Sequence, residues 1–284
     1  MSSPTTPVRR RCTLVAPGSD ERKIAKALES AADEVVLDLE DAVTSARKDE
    51  ARALVCRTIR ELRTGRSISV RVNGLGTEWA RDDLRTVGAL DGVGIVLPKV
   101  DTADDLITAD RLLAELGSTA RLQALVETPQ GVRSIDEICS ATGRLEAVVI
   151  GYADLGAALG RVGGYTAERW LHVQDRILIA ARAAGIQAID GPHLSILDDA
   201  GFRAAAQWTR DLGFDGKWVI HPGQIDATTE IFTPTSAAVE HARRVLDAMA
   251  EAETTGAGAA QLDGHMLDEA VAVAARRVLA QTGG

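Results

Sequence analysis

Short runs of apolar, β-branched residues recur along the chain at 12–16, 34–39, 68–72, 94–97, 122–126, 147–150, 186–189 and 217–220. Each is followed by a longer stretch whose apolar residues fall at helical spacing, so the pattern alternates strand and helix. Ser19 and Asp20 can cap a helix carrying Ile24, Ala27 and Leu28 on one face, and Asp101-Thr102 opens one carrying Leu106, Leu112 and Leu113. Gly185 and Gly213 close helices just before the next strand. No good hairpin signal separates the eight runs, which predicts eight parallel strands and a (β/α)8 TIM barrel.

After the eighth run the pattern changes. Phe232-Thr233-Pro234 breaks the chain, a helix is predicted over 236–252, and 254–260 reads as a flexible connector rich in Gly, Ala and Thr. A turn-like element at 262–266 and a final helix over 268–280 complete a tail that a closed barrel does not need. The expected organisation is therefore a barrel catalytic domain at 1–233 and a C-terminal helical extension at 234–284, suited to docking on a neighbouring subunit.

A length of 284 residues is ordinary for such a barrel. Aromatics are only 3% of the chain while hydrophobic residues reach 45%, so the core must be aliphatic, as parallel strands covered on both faces require. A formal charge of -9 argues against nucleic acid as the partner. No apolar run approaches a membrane span and residues 1–11 lack an apolar segment, so no membrane partner and a cytoplasmic location are expected. The Arg9-Arg10-Arg11 cluster reads as a solvated leader to the first strand. Cys12, Cys56 and Cys139 are widely spaced and suggest small reduced core residues rather than disulfides or a zinc site.

In a barrel of this kind the chemistry sits where the strands end. The residues there are Pro17-Gly18-Ser19, then Asp38, Glu40 and Asp41, then Arg71 and Asn73, then Lys99, Glu127, Asp154, Asp190 and His221. Glu127 and Asp154 follow neighbouring strands, and two hard oxygen donors with room for water and substrate describe a Mg2+ site; the alternative is that each caps the helix that follows. Arg71 could hold a carboxylate or steady an enolate, or it could simply pair with Glu40 or Asp41. Asp38 and Glu40 alternate with apolar residues and should point the same way, with some of these acids orienting Arg71 or water on the metal. Lys99 and His221 are weaker signals. Neither a phosphate-binding G-x-x-x-x-G-K-[ST] loop nor a dinucleotide G-x-G-x-x-G follows a strand.

In this order the residues resemble the citrate lyase β-subunit-like family, within the wider aldolase and citrate lyase barrel group. The matching pieces are Pro17-Gly18-Ser19, Leu37-Asp38-Leu39-Glu40-Asp41-Ala42-Val43, Val70-Arg71-Val72-Asn73, Leu97-Pro98-Lys99, Val126-Glu127-Thr128-Pro129, 151–155, Asp190-Gly191-Pro192 and 216–222. Ile189-Asp190-Gly191-Pro192 with Gly216-Lys217-Trp218 looks particularly like the malyl-CoA and citramalyl-CoA lyase branch. The resemblance implies Mg2+ on Glu127 and Asp154, Arg71 at the reacting carbonyl, and CoA, as part of the substrate, near Lys26 and the backbone of Ile220 and His221. It also implies that Asp268 reaches a neighbouring subunit's site as a catalytic acid, with Asp263 the near alternative, in a homo-oligomer of three or six chains.

The implied reaction is cleavage or condensation of a 3-hydroxyacyl-CoA into a 2-oxo acid and a thioester. Alternatives are a citryl-thioester lyase subunit served by an acyl carrier protein, malate synthase or thioesterase activity from the same site, and a non-catalytic CoA-binding barrel. Three departures bear on substrate: Ala157 and Ala158 stand where the family often carries a second acid, 161–169 is shorter than in some malyl-CoA lyases, and Asp20 stands where members can carry a base near CoA.

Overall fold

The computed structural model describes residues 8–62, 65–162, 165–255 and 260–282. The chain divides into two compact units after Thr229. The first holds eight parallel strands closed into a barrel in sequence order. They are β1 (Cys12–Pro17), β2 (Glu34–Asp38), β3 (Ser67–Arg71), β4 (Val93–Leu97), β5 (Leu122–Val126), β6 (Leu145–Ile150), β7 (Gln187–Asp190) and β8 (Gly216–Val219). Each predicted run lies on a strand, with ends displaced by no more than two residues.

Strand period explains what fills the barrel. On β2, Glu34, Val36 and Asp38 face one way, and they stand at its floor, middle and mouth. The middle is an aliphatic plug in which Val36, Val96, Leu125, Ala147, Val149 and Ile189 pack with Trp218. A chain poor in aromatics closes its barrel this way, with one indole supplying the bulk that branched side chains leave unfilled.

The floor corrects the reading of the arginine cluster. Arg10 is not a solvated leader; it is 4% exposed and plugs the barrel's N-terminal end. Its guanidinium donates to Glu34 at 3.1 Å, Gln187 at 2.6 Å and Glu146 at 2.7 Å. Glu34 in turn accepts from Ser69 at 2.8 Å and Gln123 at 3.0 Å. Arg11 forks onto Asp33 with bonds of 2.8 and 2.7 Å.

Helix ends follow the expected chemistry. Asp20 accepts from the Lys23 N–H, Thr102 and Asp105 form a reciprocal capping box, and Gly185 and Gly213 take the left-handed conformation at φ 71° and 112°. All three cysteines are buried and free, with the Cys12 and Cys139 thiols pushed up to about 12 by burial. Among the described residues no helix is long and apolar enough to cross a membrane.

The second unit is a helix Ser236–Thr255, an antiparallel hairpin of β9 (Ala260–Leu262) and β10 (His265–Leu267), and a helix Glu269–Ala280. Ala242, Val245, Ala260, Leu267 and Ala275 form its core. The element expected to be merely turn-like is thus this hairpin, turned by Asp263 at φ 52° and Gly264 at φ 81°. That pair of positive φ values is what a two-residue type I′ connection demands. The expected connector falls partly in the first helix, which runs to Thr255, and partly at 256–259, outside the described residues.

Candidate active site

The carboxyl ends of β2 to β6 bring seven charged side chains together, Asp38, Glu40, Asp41, Arg71, Lys99, Glu127 and Asp154. Asp38, buried at the end of β2, accepts the Glu40 and Ala42 backbone N–H groups at 2.9 and 3.0 Å. Both of its oxygens then receive the Arg71 guanidinium, from Nε and Nη2, each at 2.7 Å. This two-point bond fixes the plane of Arg71 and leaves Nη1 aimed along the mouth. There Nη1 meets Glu40 at 3.0 Å and Asp41 at 3.7 Å. The ion-pair reading of Arg71 is thereby realised, while its edge stays turned toward the other acids.

Lys99 is the residue that the sequence undervalued. It ends β4 with a left-handed φ of 51°, and its backbone N–H donates to Glu127 Oε1 at 3.0 Å. Its ammonium ion-pairs closely with Glu40, and also with Asp154 at 3.3 Å and Asp41 at 3.8 Å. One cation thus spans the acids of β2 and β6. Positive φ in a non-glycine residue is uncommon enough to mark the position, but dihedrals cannot be read from sequence.

Glu127 follows β5 and is 4% exposed. Burial, with Glu40 and Asp154 adding repulsion against the pull of Lys99 and Arg71, raises its carboxyl to about 7. Glu40 is raised as well, first by burial. Asp154, in the first turn of the helix Tyr152–Ala158, is part-exposed at 41%. Gly151 makes the space for this arrangement: a Cβ there would lie 2.5 Å from Glu127 Oε2.

A buried Glu127 without an ion pair among the described residues, beside a part-exposed Asp154 that shares Lys99, fits a hard divalent cation with oxygen ligands. Among the described residues no cluster of three His, Cys, Asp or Glu side chains is arranged to hold a metal. Any further ligands would have to be water and substrate oxygens, as an open catalytic site requires.

Other expected residues lie elsewhere. Asp190 does not face the mouth; it is buried in the wall, where it binds Lys217 at 2.6 Å, Tyr152 OH at 2.5 Å and Thr209 at 3.0 Å. Alternation along β7 turns Ile189 inward and Asp190 outward. Asn73 is tied to Asp83 at 2.6 Å. His221 accepts the Gly223 N–H at 3.1 Å in the short turn after β8, next to a part-exposed Ile220. Lys26 is exposed in the last turn of the helix Glu21–Glu29. In the second unit Asp268 caps the helix Glu269–Ala280 by accepting from the Val271 N–H at 3.0 Å, and Asp263 pairs with Arg244 at 2.5 Å.

The chain is 40% identical over 275 residues to a (3S)-malyl-CoA thioesterase of Cereibacter sphaeroides, covering 95% of this chain and 94% of that one. It is 36% identical over 295 residues to the L-malyl-CoA/beta-methylmalyl-CoA lyase of Rhodobacter capsulatus, covering 94% and 93%. The crystal structure of CitE from Mycobacterium tuberculosis in complex with magnesium, acetoacetate and coenzyme A superposes with a TM-score of 0.78 at 32% identity, covering 97% of this chain and 99% of that one. Residues 11–222, which take in all eight strands of the barrel, match one family throughout, and the chain belongs to the HpcH/HpaI aldolase/citrate lyase family.

Proposed function

We propose that the chain is a Mg2+-dependent carbon-carbon lyase that cleaves, or in reverse forms, a 3-hydroxyacyl-CoA of the malyl-CoA or citramalyl-CoA kind. The observation that carries this reading is Arg71, clamped in plane by Asp38 beside a Glu127 carboxyl raised to about 7. A fixed guanidinium next to a cation-seeking carboxylate pair is what an oxyanion-forming reaction needs.

In the cleavage direction the 3-hydroxyl loses its proton, its oxygen becomes a carbonyl, and the bond between C2 and C3 breaks. The electron pair moves onto the thioester, giving an enolate that takes a proton at C2. Glu127 and Asp154 would hold the metal, which when bound supplies Lewis-acid charge to the oxygens of the departing 2-oxo acid. Arg71 stabilises the enolate oxygen. Glu40 and Asp41 set the charge around Arg71 and Lys99 and are placed to take up the hydroxyl proton. Asp268 is proposed as the acid that protonates C2, from a neighbouring copy in a trimer or hexamer, and Lys26, Ile220 and His221 as the CoA-binding positions. A cytoplasmic location belongs to the same proposal.

Relatives named thioesterases favour a second reading, hydrolysis of the malyl thioester at this site. A single assay separates the two. Purified protein is given malyl-CoA and citramalyl-CoA, with Mg2+ or with a chelator, and glyoxylate, pyruvate, acetyl-CoA, malate and free CoA are followed. Metal-dependent glyoxylate or pyruvate with acetyl-CoA supports the lyase. Malate with free CoA and no oxo acid replaces it with the thioesterase, and no product with CoA binding intact leaves a carrier-protein substrate or a binding barrel. Glu127→Ala is expected to lower kcat at least about 100-fold.

A further inference from the structure

The chain contains only two tyrosines, and both line one cavity of about 400 Å3 at the ends of β6 and β7. Tyr152, Tyr165, Trp170 and His193 form its walls, and its two charged groups are Arg161 and Arg169. The aromatic rings brace one another. Tyr152 meets Trp170 edge-on at 4.8 Å and Tyr165 at 5.4 Å, and Tyr165 meets His193 at 6.1 Å. The walls are further fixed from behind, where Gln174 donates to the Tyr152 and Tyr165 hydroxyls at 2.8 and 3.0 Å.

Arg161 lies over the Trp170 ring, its guanidinium carbon 3.9 Å from the ring centre. A guanidinium held over an aromatic ring keeps N–H groups at its edge for hydrogen bonding. One of them, Nη1, is shielded from water and has no hydrogen-bond partner among the described residues, while the side chain as a whole is half-buried and lines the cavity. Arg169 gives one N–H to the Val162 carbonyl at 2.9 Å. Among the described residues no carboxylate lines the cavity, in a chain whose acids outnumber its bases 41 to 32 and in which Arg10 and Arg71 are ion-paired to acids. Two arginines at one cavity with no carboxylate between them favour an anion there.

We propose that this cavity binds an organic carboxylate, with the Arg161 edge receiving the carboxylate and the aromatic walls receiving its carbon chain. The site is separate from the Arg71–Glu127 cluster and does not rest on the lyase reading. Its volume, within the usual range for small-molecule pockets, and its apolar walls suit a carbon-bearing acid over an inorganic ion. Ala157 is part of the lining and adds no competing charge. The carboxylate is that of a free acid, because the one carboxylate of malyl-CoA or citramalyl-CoA leaves with the 2-oxo acid at the Arg71–Glu127 site.

The test is calorimetric titration of the full chain with succinate, and separately with inorganic phosphate, on wild type, Arg161→Gln, Arg161→Lys and Arg71→Met, each checked for native near-UV circular dichroism. Succinate is expected to bind wild type and Arg71→Met alike, to weaken about tenfold or more in Arg161→Gln, and to fall between in Arg161→Lys, which keeps charge but loses the planar fork. Inhibition or activation of thioester turnover that excess substrate does not relieve is expected of a free acid bound in this cavity; purely competitive inhibition would place succinate at the Arg71–Glu127 site and overturn the proposal. The proposal is overturned if succinate does not bind up to about 20 mM, if binding is lost in Arg71→Met and kept in Arg161→Gln, or if phosphate binds as tightly. A chain that binds succinate here but turns over no thioester would keep this site and remove the lyase reading.

Discussion

At the scale of single residues, charge is placed by what the closed barrel brings near it. Arg10 looks solvated in sequence because its partners lie 24, 136 and 177 positions away. Once Glu34, Glu146 and Gln187 surround it, removal leaves Glu34 buried without its cation. Arg10→Met is expected to destabilise the fold by about 3 kcal/mol, the cost of breaking a buried pair from one side, as a fall in the urea midpoint with turnover unchanged at low temperature. The thiols illustrate the same dependence with opposite sign. Burial favours the neutral form, so Cys12 and Cys139 near 12 would carry only about one thiolate in ten thousand at pH 8. Alkylation by iodoacetamide at pH 8 is therefore expected to be slow for the native chain and complete for all three cysteines in denaturant; rapid native labelling at Cys12 or Cys139 would contradict the burial argument.

At the scale of elements, the strands were legible because β-branched runs repeat with a fixed strand-helix rhythm, which depends only on local order. Asp38, Glu40, Arg71, Lys99, Glu127 and Asp154 were legible as mouth residues for the same reason: each lies at the end of a run or just beyond it. Side-chain direction was less so. Asp190 also follows a run, yet the pleat turns it into the wall, and one residue of uncertainty in a strand end reverses that choice. The hairpin at 260–267 was missed because three-residue strands are too short to show alternation, although Asp263-Gly264 carried the turn signal. The left-handed Lys99 had no local sign. The segment between β6 and its helix gives a prediction that separates two kinds of glycine. Gly151→Ala would press on the Glu127 Cβ as well as on its carboxylate, so the Mg2+ concentration for half-maximal activity is expected to rise at least about tenfold, with a fall in Tm. Gly160→Ala meets nothing within 4 Å but sits at φ 64°, so it is expected to cost about 1 kcal/mol of stability and leave the metal response unchanged.

At the scale of the whole molecule, the barrel gathers arginine, lysine and five acids at its mouth; Asp38, Glu40, Asp41 and Asp154 are ion-paired there, and Glu127, buried without an ion pair among the described residues, is the carboxylate proposed to hold the metal. A proton donor for C2 of the substrate has to come from outside this cluster if the cluster is committed to holding charge. The second unit offers Asp268 on a segment that a barrel does not need, and the proposal that it serves a neighbouring copy has a decisive consequence. Arg71→Met and Asp268→Asn are each expected to lower kcat at least about 100-fold when purified alone. Mixed, dissociated in mild denaturant and reassembled, they form hybrids in which a barrel with an intact Arg71 meets a tail with an intact Asp268. If sites are shared between copies, activity is expected to return to a substantial fraction of wild type, and light scattering should show three or six chains. If each chain completes its own site, no hybrid contains a whole one, and the mixture stays as inactive as its parts.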